Sequence, residues 1–295
     1  MGQHHSHEHS HDVKNIKTAF FLNLSFTLIE IIGGLYVNSV AILSDAIHDL
    51  GDSLSLGLSW YFQKLSKKGR DKTFSYGYGR FSILGALINS VVLIAGSILI
   101  LSETIPRLWA PIQPDTKGML VLSILGIVVN GAAVLKLKKG TSMNERVASL
   151  HLLEDVLGWA AVLVGSLVMM FYDLPILDPL LSIGISVFIL INVYKNIKAS
   201  FKIILQANPS EVDYDKLKKE ILKIAAIVDV HDMHSWTMDG EKHVMTIHIV
   251  VKQSIKATEQ THIKSQVREI LRRNSIDHAT IEIDCEKEPC GLEDC

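Results

Sequence analysis

SDAIHDLGD, residues 44–52, lies inside a long apolar run and sets His48 four residues before Asp52. A second run carries HLLED, residues 151–155, with His151 and Asp155 at the same step. Residues at i and i+4 stand one above the other on a single helix face. Each segment, read as a helix, therefore offers an imidazole and a carboxylate side by side. Two such helices packed together supply two nitrogens and two carboxylate oxygens, a donor set for tetrahedral Zn²⁺.

The apolar surroundings give this pattern its weight. An Asp at the centre of a bilayer costs about 2.5–3.5 kcal/mol, and two unpaired ones about 5–7 kcal/mol. An ionisable group at that depth marks a functional site by default. Charge balance then suggests a mechanism. Zn²⁺ with two carboxylates and two neutral imidazoles is electrically neutral, whereas the empty site bears two negative charges. Protons neutralise the empty site and metal must displace them. Metal-for-proton exchange across the membrane is the expectation.

Working outward, hydrophobic residues make up 48% of the 295 and charged residues only 20%. Six candidate spans of about 20 residues, the length that crosses the hydrocarbon, run from 16 to 37, 41 to 62, 82 to 105, 117 to 137, 148 to 171 and 177 to 199. The second and fifth are the least apolar because they hold the His and Asp pairs. Lys64, Lys67, Lys68, Arg70, Lys72 and Arg80 fall in one connection, and Lys136, Lys138, Lys139 and Arg146 in another on the same side. The opposite connections hold Arg107 and Lys117. Positive charge stays inside, so both termini are expected in the cytoplasm. The net charge of −2 argues against nucleic acid as a partner.

After residue 206 the pattern changes. An amphipathic helix, two strands (VDVHDMHSWTM and KHVMTIHIVV), a helix over 256–273 and a last strand, ATIEID, give the order αββαβ. The expected fold class is an α-helical membrane protein with six transmembrane helices and a C-terminal cytoplasmic α+β domain, ferredoxin-like in outline. The expected divisions are a His-rich tail (1–13), the transmembrane domain (14–205), the cytoplasmic domain (206–284) and a Cys-containing tail (285–295).

Other polar residues carry lesser expectations. Asp45 precedes Asp52 by two turns on a similar face. Glu30 interrupts the first span as a proton-accepting or packing residue, and Asn23 is expected to join helices by hydrogen bonding. In the soluble part, His231 and His234 are three residues apart, so strand alternation puts them on opposite faces. His243 and His262 read as plain surface residues. Five of the thirteen histidines lie in the first twelve residues. That tail, His7 and His9 included, could join Cys290 and Cys295 in a thiolate–imidazole site.

Together IEIIGG, NSVAILSDAIHDLGD, YGYGR, SLHLLEDVLGWAAVLVG and VHDMHSW make the chain resemble the cation diffusion facilitators over nearly its whole length. The resemblance implies a homodimer in the bilayer, of the kind found in bacterial inner membranes, exporting divalent metal from the cytosol in exchange for protons. It implies transport ligands at His48, Asp52, His151 and Asp155, with His48 favouring zinc. It also implies cytoplasmic zinc ligands at His231, His248, His278 and Asp284, so Zn²⁺ serves as both cargo and structural or regulatory ligand. One departure is Ser82, where many relatives carry Glu. Three rivals stand beside it: an intramembrane zinc hydrolase, disfavoured because a catalytic zinc keeps a coordination position open, a proton-coupled carrier of an organic substrate, disfavoured by the histidine and cysteine tails, and a membrane metal sensor that does not transport.

Overall fold

The computed structural model describes residues 8–66, 68–137, 143–252 and 255–286; some side chains in that range, including those of residues 8–20 and 143–151, lie outside the description. Six long helices come first: α1 (Glu8–Val37), α2 (Val40–Ser66), α3 (Phe81–Trp109), α4 (Thr116–Leu137), α5 (Met143–Phe171) and α6 (Leu177–Ile204). Among the described residues, four stretches are long and apolar enough to cross a membrane: Phe81–Trp109, Thr116–Leu135, Leu152–Phe171 and Leu177–Ile204. α1 contributes a shorter apolar piece, Asn23–Val37. α2 falls short of that apolarity, and Asp45, Asp49 and Asp52 within one stretch of it are the reason. Val91, Leu99, Val121, Val128 and Val164 point outward and are exposed, an apolar surface suited to lipid rather than water.

The chain divides into two compact units, Met1–Phe62 with Gly85–Ile197, and Gln63–Leu84 with Lys198–Cys295. In the first, Phe26, Ile42, Met119, Trp159 and Val162 make a buried cluster joining α1, α2, α4 and α5. Gly126 on α4 leaves room for the Trp159 indole, and a Cβ there would collide with the ring. Gly51 on α2 receives Leu93 of α3 in the same way. Gly33 sits against Leu122, and Gly34 against Leu43 and Ile42.

The start of α2 is anchored from α6. Asn38 takes φ +56 in the two-residue link from α1. Ser39 Oγ then donates to Asp178 Oδ1 at 2.5 Å, while the Val40 and Ala41 amides donate to Asp178 Oδ2 and Oδ1 at 2.9 and 3.2 Å. The carboxylate thus meets amides that the helix itself leaves unpaired. One turn on, Ser44 Oγ lies 2.6 Å from Ser182 Oγ, which is 2.9 Å from Thr104 Oγ1.

In the second unit the expected αββαβ order is observed as α7 (Tyr214–Ile221), β1 (Ile227–Thr237), β2 (His243–Val251), α8 (Ala257–Arg273) and β3 (His278–Cys285). Asp213 caps α7 by accepting from the Lys216 amide at 3.0 Å. The sheet runs β1-β2-β3, antiparallel then parallel. Met245, Ile247, Ile249 and Val251 alternate along β2 toward Leu217 and Ile221 of α7 and Ile263, Val267 and Leu271 of α8. The helices therefore cover one face of the sheet. The other face carries His248.

Candidate metal-transport site

His48 and Asp52 lie on α2 as expected, His48 Nε2 3.7 Å from Asp52 Oδ2. α5 brings Asp155 to them, its Oδ1 3.8 Å from the same nitrogen. One donor atom from each of the three residues falls within 4.8 Å of the other two. Asp155 is buried, while His48 and Asp52 keep partial exposure. A centre of this kind is shielded and still reachable. The His48 ring meets Phe188 of α6 edge-on at 6.3 Å. His151 lies in α5, four residues before Asp155, and its side chain is outside the described residues.

More carboxylates surround this centre than the two pairs alone suggest. Asp45 and Glu30 are buried, and so is Asp49, a residue outside the His–Asp pairs. Glu30 Oε1 and Oε2, Asp45 Oδ2 and Asp49 Oδ2 have no hydrogen-bond partner among the described residues. Asp45, Asp49 and Asp52 follow at i, i+4 and i+7, which is the signal that could have revealed Asp49. Gly158 on α5 keeps this flank open: a Cβ there would stand 3.6 Å from Asp45 Oδ1. Asn23 joins helices as expected, donating to the Asp49 carbonyl at 3.1 Å and to Ser53 Oγ at 3.0 Å. So much negative potential in a low-dielectric setting favours a cation.

The soluble unit gathers a second donor cluster. His231, His248 and Asp284 each place one donor atom within 4.8 Å of the others. His248 Nδ1 is 3.1 Å from Asp284 Oδ2, and His231 Nε2 is 4.0 Å from that oxygen. His231 Nε2 is buried with no hydrogen-bond partner among the described residues. Two imidazoles, one with an unsatisfied buried nitrogen, and a carboxylate fit a zinc ion.

Three expectations need correction here. First, His231 and His234 share a face. His231 pairs with His248 and His234 with Thr246, with a register shift between them. That bulge inserts one residue and cancels the odd step. Second, His278 does not join the cluster within this chain. It pairs with Val244, whereas His248 pairs with Glu282, which puts it four residues, or about 13 Å, down the strand. Its ring stands edge-on to Tyr76 at 5.7 Å. Third, His243 is buried rather than on the surface, its amide donating to Asp277 Oδ2 at 2.9 Å. His262 is exposed as expected. His7, His9, Cys290 and Cys295 lie outside the described residues or have side chains outside them.

Comparison with known proteins bears on both units. Residues 16–205 match the model of the cation efflux transmembrane domain, and residues 209–286 that of the cation efflux protein cytoplasmic domain. The chain belongs to the cation efflux family. Among relatives of this cation efflux protein is the "Cadmium, cobalt and zinc/H(+)-K(+) antiporter" of Bacillus subtilis (strain 168), 32% identical over 96% of this chain and 92% of the relative. The "Metal cation efflux system protein CzcD" of Cupriavidus metallidurans is 30% identical over 100% and 93%. The "Zinc transporter ZitB" of Escherichia coli (strain K12) is 30% identical over 100% and 96%. This cation efflux protein is thus a helical multi-pass membrane protein with a C-terminal α+β domain.

Proposed function

We propose that the chain exports Zn²⁺ from the cytoplasm in exchange for protons, through a site of His48, Asp52, His151 and Asp155. The observation that carries this reading is the convergence of His48, Asp52 and Asp155 from two helices onto one point inside the membrane unit. His151 stands one turn from Asp155 on α5, the position from which an imidazole would complete a tetrahedral set. Carboxylate and neutral imidazole bind metal only when deprotonated, so import of protons and export of metal are coupled by competition for the same atoms.

α1 to α6 are read as six spans with both termini cytoplasmic, in the inner membrane of a bacterium. Relatives named for zinc, cadmium and cobalt support a divalent cargo, and two imidazoles favour zinc within that class. Membership in a transporter family tells against the hydrolase. The protein works as a homodimer, with the cytoplasmic domain holding regulatory zinc at His231, His248 and Asp284. The chain divides into a His-rich tail (1–13), a transport domain (14–205), this domain (206–284) and a Cys-containing tail in which Cys290 and Cys295 form a further thiolate site with His7 or His9.

The test is zinc flux into proteoliposomes holding a zinc-sensitive dye, under imposed pH gradients. The reading requires flux driven by ΔpH and abolished in His48→Ala and in Asp155→Ala. Flux that survives either substitution, or ignores ΔpH, refutes it.

A further inference from the structure

Asp232 sits inside the bulge of β1 at φ +46, a left-handed conformation that asparagine and aspartate tolerate better than most side chains. The bulge turns its carboxylate to the open face of the sheet. There Oδ2 lies 3.4 Å from His248 Nε2, and Oδ1 lies 2.7 Å from His234 Nε2. A second carboxylate also reaches His248 Nε2, Glu282 Oε2 at 3.4 Å, but the Glu282 side chain is 62% exposed against 9% for Asp232. The shielded carboxylate holds the ring more strongly because water competes less with it.

The two ring nitrogens of His248 thus face different company. Nδ1 looks toward Asp284 Oδ2 at 3.1 Å, the oxygen that His231 Nε2 also approaches at 4.0 Å. Nε2 looks toward Asp232. An imidazole that binds metal through one nitrogen carries its proton on the other, and the acceptor of that proton fixes both tautomer and ring orientation. Asp232 is not one of the three residues whose donor atoms converge within 4.8 Å, so its place is behind His248 and not on the ion.

We infer that Asp232 is the positioning residue of the cytoplasmic metal cluster: held by the bulge and by His234, it accepts the Nε2 proton of His248 and presents Nδ1 to the metal. This rests on the proposal that His231, His248 and Asp284 bind zinc. It also gives the bulge a purpose, since regular alternation would point residue 232 into the hydrophobic core with Ile247 and Ile249.

Two substitutions separate positioning from a structural role. Glycine takes φ +46 without steric penalty, so Asp232→Gly relieves the backbone while removing the acceptor. Asp232→Asn keeps an acceptor oxygen and tolerates the same backbone. The experiment uses the full-length chain carrying His48→Ala, so that the membrane centre does not mask the reading. Zinc affinity is measured by competition with a chromogenic chelator, and unfolding of the metal-free protein is followed in detergent. The expected result for Asp232→Gly is a zinc affinity lower by about 10- to 100-fold, with a metal-free melting temperature unchanged or raised. Asp232→Asn is expected to retain most of the affinity.

Undiminished affinity in Asp232→Gly overturns the inference, and so does equal weakness in the Gly and Asn variants. Asp284→Ala is the control. If it keeps the same zinc as its parent, the metal-binding reading of the cluster fails. If it loses that zinc while Asp232→Gly keeps it, only the role of Asp232 fails.

Discussion

Replacing Asp178 by alanine removes the one acceptor shared by Ser39 Oγ, Val40 N and Ala41 N, all buried. A buried donor left unmade costs about 1–3 kcal/mol. The serine hydroxyl can rotate toward another acceptor, whereas the two amides of the first turn of α2 cannot. Two amides with a partial contribution from the hydroxyl give about 3–5 kcal/mol, within the range for breaking a buried charged contact. Asp178→Asn keeps one acceptor oxygen but presents N–H groups to other N–H groups, so about half that loss is expected. Ser39→Ala leaves both Asp178 amide contacts intact but removes the acceptor of the Ile42 amide, a cap loss of about 1–2 kcal/mol. The assay is denaturant unfolding of the purified, metal-free protein in detergent, reported by tryptophan fluorescence. The ordering Asp178→Ala, then Asp178→Asn, then Ser39→Ala is the quantity at stake. An alanine variant within 1 kcal/mol of the parent, or indistinguishable from the Asn variant, refutes the account of how α2 is anchored.

Three further outcomes follow from the geometry. Asp52→Asn keeps the shape of the membrane centre but leaves the proposed zinc complex with one uncompensated positive charge; a loss of flux of at least tenfold, about 1.4 kcal/mol, is expected, measured with the dye-loaded vesicles. Gly126→Ala drives a methyl into the Trp159 indole, and overpacking of this kind costs about 1–3 kcal/mol, readable as a lower unfolding midpoint. The Asp71 carboxyl accepts from the Phe74 amide, the Tyr78 hydroxyl, the Thr73 amide and Lys68, which together hold it well below the usual carboxylate range. A lowered value means the turn is stabilised at all pH above the ordinary carboxylate value, about 4. That contribution is lost only as pH falls from there toward the folded-state value, so amide exchange at Thr73 and Phe74 should stay slow at pH 5.

Much of the membrane centre was legible because its information is local. His48 and Asp52 need only a helix to stand together, and an apolar run of the right length supplies one. The order αββαβ was equally readable, since periods of two and of 3.6 differ plainly between the strands and α8. What escaped depends on pairing at a distance. Asp178 meets Ser39 across 139 positions, and nothing in DLPILDPLL says that its carboxylate ends up at the start of another helix. The face shared by His231 and His234 turns on one extra residue in β1, and one residue reverses every side chain beyond it. His278 lies on the right face but at the wrong distance, because alternation specifies sides and not register. Asp49 stands in SDAIHDLGD one turn after Asp45, a step of like charges that a pattern of His paired with Asp does not contain.

The sheet of the cytoplasmic unit keeps its grease and its chemistry on opposite sides. Met245, Ile247 and Ile249 face the helices, and His248 with its neighbours faces away. Polar side chains on the second side can be gained, lost or exchanged without disturbing what keeps the domain folded. Within one scaffold, selection is therefore free to change the polar face of this domain residue by residue, while the fold that carries it stays the same.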